Sequence, residues 1–249
     1  MSDYSGFAPY YDRFTDNVDY PARARYFDAV IRRYAPGAGL VLDLACGTGS
    51  LTFELEKLGY DMIGVDGSWE MLSVAAAKRG ERKSKALLLC QEMRALDLYG
   101  TVDATVCALD SLNHILDEAE LRETLGKVSL FSNPGACFVF DVNTPYKHRE
   151  ILGNNSFVYE DDGALCVWRN SFDPEDDVVD ITLDFFEHEN EHGLYRRSTS
   201  EFSERAWPLE GLRSMLEENG FTVEAVFDED SFLPLHPESQ RAVFVALKK

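Results

Sequence analysis

The sequence predicts an α/β fold: a doubly wound, mostly parallel sheet of seven strands with a small inserted antiparallel sheet. Three observations on the 249 residues lead there. Short apolar runs alternate with helical stretches as far as residue 141, and this alternation calls for crossover helices on a parallel sheet. The runs are almost continuously apolar, as strands buried on both faces must be. From about residue 154 to 205 the rhythm becomes one of alternating polar and apolar residues broken by turns, after which strand and helix signals return.

In order, Gly39 to Ala45 reads as the first strand, and Leu51 to Leu58 as its helix. Met62 to Val65 is the second strand, ending at Asp66. Ser68 is placed to cap a helix over Trp69 to Arg79. Ala86 to Cys90 and Ala104 to Leu109 are strands three and four. Asp117 is placed to cap a helix over Glu118 to Phe131, which Pro134-Gly135 punctuates, and Ala136 to Asp141 is strand five. Asp162-Gly163 is a hairpin signal between Phe157 to Glu160 and Ala164 to Asn170. Val178 to His188 and Tyr195 to Phe202 form a second pair, and Ile181, Leu183 and Phe185 alternate as a half-buried strand should. Leu209 to Asn219 is helical, and Thr222 to Phe227 and Ala242 to Leu247 complete the seven.

This divides the chain into a core over 1–153 and 206–249 and an insertion over 154–205, expected to roof a substrate or make a dimer contact. Residues 1–20 are expected to form a lid helix, because Tyr4, Phe7, Tyr11 and Phe14 share one helical face. The aromatics Phe157, Trp168, Phe185, Tyr195 and Trp207 are expected mostly in the core of the insertion.

The net charge is −20. Residues 1–150 carry 16 basic and 22 acidic side chains, and the remainder 8 and 22. So negative a surface repels phosphate backbones and anionic lipid, so neither a nucleic acid nor a membrane is an expected partner. No apolar run approaches the ~20 residues of a membrane span. Met1 to Tyr20 holds four aspartates and no apolar segment, unlike a secretory signal, and a cytoplasmic protein is expected. Cys46, Cys90, Cys107, Cys137 and Cys166 include no CxxC pair, so they are read as reduced, buried thiols. His188 and His192 lie among Glu187, Glu189 and Glu191, read as a solvated acidic turn. No metal site is expected.

The chemistry concentrates in Val41-Leu-Asp-Leu-Ala-Cys-Gly-Thr-Gly49, which leaves a strand and opens a helix. Gly47 and Gly49 permit turns and close ligand approach. Asp66, at the end of the second strand, can accept two hydrogen bonds from a ribose diol. A dinucleotide oxidoreductase shares these features, but its third glycine is here Thr52, and its pattern lacks an acid within the first strand. Asp43 is such an acid, costly to bury unless hydrogen-bonded or near a cationic ligand.

Asp43-x-x-x-Gly47-x-Gly49 followed by Asp66 resembles motifs one and two of the class I S-adenosylmethionine-dependent methyltransferases. The surrounding DLACGTGSLTFELEKLGYDMIGVDGSWEML is similar as well. The resemblance covers roughly residues 7–141 and the rest by topology. It implies that the loop Ala45, Cys46, Gly47 and Gly49 passes under the methionine part of S-adenosylmethionine, and that Asp66 binds the ribose. It places Gly67, Ser68 and Met71 near the adenine, joined by Gln91, Glu92 and Met93. Glu92 stands where the family more often has Asp. Leu109, Asp110 and the following Ser-Leu-Asn-His114 correspond to the loop where cofactor and substrate meet. Phe7 to Asp12 is similar to the family's Y-D element, making Tyr11 the residue expected to close over the cofactor, with Tyr10 and Tyr20 as lesser candidates.

The function expected is methyl transfer to N or O of a small molecule, leaving S-adenosylhomocysteine. Candidate catalytic residues are His114, whose imidazole suits a base near neutral pH, and Tyr11. Both also have a structural reading. The alternatives are an RNA or protein methyltransferase and a non-catalytic S-adenosylmethionine-binding protein. The chain is expected as monomer or homodimer.

Overall fold

A computed structural model describes residues 11–12, 18–161, 164–188 and 193–249. In chain order the first elements are α1 (Tyr20–Tyr34), β1 (Leu40–Leu44), α2 (Ser50–Lys57), β2 (Asp61–Asp66), α3 (Trp69–Arg82), β3 (Leu87–Cys90), β4 (Val102–Cys107), α4 (Glu118–Leu130) and β5 (Ser132–Asn143). After a π-helical segment, Lys147–Leu152, come β6 (Ser156–Asp161), β7 (Ala164–Asp173), β8 (Val178–His188) and β9 (Tyr195–Arg205). The described chain closes with α5 (Leu209–Glu218), β10 (Phe221–Asp228) and β11 (Arg241–Lys248).

Local chemistry starts the helices, at Ser68 and Asp117 where the sequence expects and at Asp19, before a helix the sequence reading did not include. The Asp19 carboxylate accepts the Ala22 amide hydrogen at 2.8 Å and opens α1, with Pro21 in the first turn. Ser68 accepts from Met71 at the start of α3, and Asp117 accepts from Glu120 at the start of α4.

The seven-stranded sheet runs β10-β11-β5-β4-β1-β2-β3. Neighbours are parallel from β5 through β3, while β11 runs antiparallel to both β5 and β10. Successive side chains of each strand serve opposite faces. Phe138, Phe140 and Val142 pack with α4 and α5, whereas Cys137 and Val139 face the side of α1 and α2. Phe140 and Phe244, paired across β5 and β11, stack at 5.1 Å. Each such fully buried side chain contributes about 1.5–3 kcal/mol.

The second sheet is the antiparallel meander β6-β7-β8-β9. Val179, Ile181, Leu183 and Phe185 of β8 are buried against Cys166, Leu152 and Met71 of α3. Half-buried Tyr11 packs on the same cluster. The meander therefore sits on the core through α3 and the π-helical segment.

Three expectations change. Pro134-Gly135 lies inside β5, whose first residues pair Ser132 with Val102 before an irregularity in the register. Cys90 is exposed at the end of β3, on the sheet edge, while the other four thiols are buried and free. Trp207 belongs to the central core, its indole N–H donating to the Ile115 carbonyl, and Tyr195 is 58% exposed. Tyr4, Phe7, Tyr10, Phe14, the Asp162-Gly163 turn and His192 lie outside the described residues. Among the described residues no helix is long and apolar enough to cross a membrane.

Candidate functional site

Strand order reverses between β1 and β4. In open α/β sheets a ligand crevice forms beyond the carboxyl ends of the strands at such a point. A pocket lies there, lined by Tyr11, Tyr20, Asp43, Ala45, Cys46, Gly47, Thr48, Ser50 and Leu51 on one side and by Ala108, Leu109 and Ser111 on the other.

The loop after β1 is shaped by left-handed residues: Ala45 at φ 62°, Gly47 at 53° and Gly49 at 77°. At Gly49 a Cβ would lie 2.8 Å from the Phe53 ring, so only glycine fits. At Gly47 the space where a side chain would stand is open. Asp66 fixes this loop from the neighbouring strand. Its Oδ2 accepts the Gly47 amide hydrogen and its Oδ1 that of Ser68, both at 2.8 Å. Burial raises the Asp66 pKa, an effect these two bonds oppose, and Glu92 adds to the rise while His114 counters it.

Asp43 lies behind the loop, 2% exposed. The Thr52 hydroxyl donates to its Oδ2 at 2.5 Å. Burial nonetheless pushes the carboxyl up to about 7, with Asp66 contributing. Thr52, where a dinucleotide-binding loop has glycine, thus serves the acid that such a loop lacks. Over the outer side, the Asp12 carboxylate accepts from Thr48 at 2.7 Å and pairs with Lys78 at 2.5 Å.

The opposite rim is held by Asp141, which is fully buried at the end of β5. Its Oδ1 accepts the Leu109 amide hydrogen at 2.9 Å and its Oδ2 that of Asp110 at 3.0 Å. Both rim residues are left-handed without being glycine, at φ 57° and 54°. Arg23 and Arg241 neutralise Asp141, and Arg241 also reaches Asp110 Oδ1 at 2.7 Å. Against the cost of burial, the charges of Arg241, Lys147 and His114 hold the Asp110 carboxyl well below the usual range. Asn113 pins the loop further. Its amide donates to the Arg205 carbonyl at 2.8 Å, and its oxygen accepts from Asn143 N–H at 2.9 Å.

Asp110, His114 and Glu204 meet beside this rim, their donor atoms within 4.8 Å of one another. Such a group can hold a metal ion, although Arg241 already occupies one oxygen of Asp110. The His114 ring leans on Phe202 of β9 at 5.3 Å.

The expected site residues fall into distinct places. Tyr11, Asp43, Ala45, Cys46, Gly47 and Leu109 line the pocket. Gly49 begins α2, and Asp66, Gly67 and Ser68 form the turn that supports Gly47. Asp110 and His114 belong to the opposite rim. Glu92 is exposed but reaches the Gly67 turn, where an added Cβ would lie 3.2 Å from its Oε2. Gln91 spends both ends of its amide clamping the Asp97 backbone, at 2.9 and 3.0 Å. Met93 packs on the central core, and Met71 is buried under the small sheet. The sequence reading held Thr48 and Ser111 only within their loops and missed Ser50, Leu51 and Ala108 of the lining, and also Asp141, Arg241 and Glu204. An acid closing the apolar run of β5 was a signal for Asp141; for Glu204 no local signal exists.

A profile of the methyltransferase domain matches residues 41–135. The protein YqeM of Bacillus subtilis (strain 168), named as a candidate methyltransferase, is 30% identical over 98% of this chain and 97% of its own. A crystal structure of an S-adenosylmethionine-dependent methyltransferase from Clostridium acetobutylicum ATCC 824 superposes with a TM-score of 0.89, at 32% identity over 98% of each chain. The chain belongs to the class I S-adenosylmethionine-dependent methyltransferases. This methyltransferase also resembles the glycine/sarcosine N-methyltransferase of Halorhodospira halochloris, 31% identical over 52% of this chain and 50% of that one. The sugar N-methyltransferase KedS8 from Streptoalloteichus sp ATCC 53650 matches with a TM-score of 0.76, at 25% identity over 94% of this chain and 92% of that one. The cofactor of this methyltransferase is S-adenosylmethionine. The site suits it: the open face of Gly47 leaves room for close approach, and the Asp43 carboxyl on the pocket wall gains from a nearby cation, which favours its charged form.

Proposed function

We propose that this enzyme methylates the nitrogen of a small, amine-bearing molecule. The observation that carries the reading is the position of the four-stranded sheet. Its apolar face packs on Met71 and Tyr11, and its last strand brings Glu204 to the Asp110–His114 rim. An acceptor beside the pocket therefore sits under a cover, which suits a small molecule better than a polymer. The net charge of −20 also disfavours a nucleic-acid substrate. The similarity to glycine/sarcosine and sugar N-methyltransferases supports nitrogen as the atom methylated.

S-adenosylmethionine supplies an electrophilic methyl group on a cationic sulfur. In this reading Asp66 accepts the ribose hydroxyls through the lone pairs that Gly47 and Ser68 leave. The backbone from Ala45 to Gly49 lies against the methionine part, and Asp43 offsets its positive charge. Glu92 and Met93 meet the adenine. Tyr11, half-buried on the pocket wall, turns an aromatic face to the cation, worth about 0.5–2 kcal/mol. His114 accepts the proton released from the methylated nitrogen. The protein's main contribution is alignment and exclusion of water, effects that lower a barrier by up to about 7–11 kcal/mol.

The test is mass spectrometry of reactions with glycine, sarcosine, an amino sugar and a phenol. A mass gain of one methyl on an amine supports the reading. Methylation of the phenol alone, or of none of the four, contradicts it.

A further inference from the structure

Glu204 is 4% exposed, on a strand otherwise mostly exposed or half-buried, and it belongs to the covering sheet while Asn143, His148, Asp110 and His114, which it meets, belong to the core. Its Oε2 accepts from the Asn143 amide at 3.0 Å. The same oxygen lies 3.2 Å from His148 Nε2, a fully buried atom that makes no hydrogen bond. The other ring nitrogen explains this. His148 Nδ1 is 3.1 Å from the Thr144 carbonyl, which can only accept, so Nδ1 carries the hydrogen. In the neutral ring Nε2 is then an acceptor, and the carboxylate oxygen beside it has no hydrogen to give. Asn143 therefore holds the carboxylate, His148 packs against the same oxygen, and donor atoms of Asp110 and His114 lie within 4.8 Å of the carboxylate.

We propose that Glu204 is the residue that recognises the amine of the methyl acceptor, accepting its N–H hydrogens and turning its lone pair toward the methyl group. This rests on the small-amine reading above. The groups facing Glu204 are Asp110, His114, His148 and Lys147, with Arg241 beyond Asp110. Two of them are cations already placed against the acids, which opposes a doubly charged metal ion more than it opposes a neutral amine. The step itself favours a carboxylate here. The nitrogen lone pair forms the C–N bond as the S–C bond breaks, and that bond's electron pair leaves with sulfur. Positive charge thus passes from sulfur to nitrogen, next to Glu204, and the new ammonium gives its proton to His114. An anionic acceptor would be repelled.

The experiment compares wild type with Glu204→Gln and His148→Gln. It combines KM and kcat for each amine of the panel with calorimetric affinity for S-adenosylhomocysteine. The proposal expects Glu204→Gln to raise the amine KM at least tenfold while the S-adenosylhomocysteine affinity stays within twofold. His148→Gln, which leaves the carboxylate in place, raises KM less and leaves kcat within twofold; it is the variant read if Glu204→Gln lacks a cooperative thermal transition. Amine turnover with an unchanged KM in both variants overturns the role of Glu204 alone. Absence of amine turnover by the wild type overturns the N-methylation reading and this inference with it. Loss of amine turnover on adding EDTA, restored by Mg²⁺, makes the cluster a metal site and overturns the proposal.

Discussion

The Asp66 carboxylate and the Gly47 amide meet at 2.8 Å, joining the end of β2 to the loop that follows β1. One acid thereby shapes the loop, and it is the acid proposed to accept the ribose hydroxyls. Asp66→Ala is expected to weaken S-adenosylmethionine binding by roughly 1.5–3 kcal/mol, the scale of hydrogen bonds to a charged group. Calorimetry checks it, and an unchanged dissociation constant removes Asp66 from the cofactor site.

Asp43 gives a pH prediction. Its folded value of about 7 lies above that of an unfolded carboxyl, so the folded state holds the extra proton in between. The penalty for burying its charge is absent near pH 4, grows as pH rises toward 7, and is constant above. Asp43→Asn is therefore expected to gain stability relative to wild type at pH 8 and lose that gain at pH 4, measured by urea denaturation. Cofactor affinity should show the converse in wild type, falling as pH drops below 7 because the protonated acid no longer offsets the cation.

Asp141 carries the strained rim. Replacing it with Asn leaves Arg23 and Arg241 without their shared charge and weakens its hold on Leu109 and Asp110. Breaking a buried ion pair costs about 3–5 kcal/mol. Equilibrium denaturation is expected to show a loss of that size, and a loss below 1 kcal/mol would mean that the rim holds itself.

Asp12 bridges Thr48, Ser50 and Lys78 on the outside of the glycine loop. Removing residues 1–18, which keeps the Asp19 cap of α1, is expected to weaken S-adenosylhomocysteine binding and preserve a cooperative thermal transition. Loss of the transition would assign this segment to packing instead.

The β1–β2 side of the pocket was readable in the sequence because Asp43, Gly47, Gly49 and Asp66 lie within one strand–loop–helix–strand unit. Their spacing is their geometry. The partners of the opposite rim were opaque for the opposite reason. Asp110 and His114 meet Glu204 only after β6 to β9 fold back over the core, and Arg241 arrives from the last strand. Helix starts at Ser68 and Asp117 were legible because capping is local chemistry. Trp207 was misread because burial in the central core, rather than in the insertion, depends on where α5 docks.

Calorimetric titration of the protein with S-adenosylmethionine, S-adenosylhomocysteine and NADH tests the central claim most directly. The account predicts binding of both adenosyl compounds and none of NADH. At one hundred times the dissociation constant the ligand should add ~2.7 kcal/mol to stability. Binding of NADH, or of neither adenosyl compound, would contradict it.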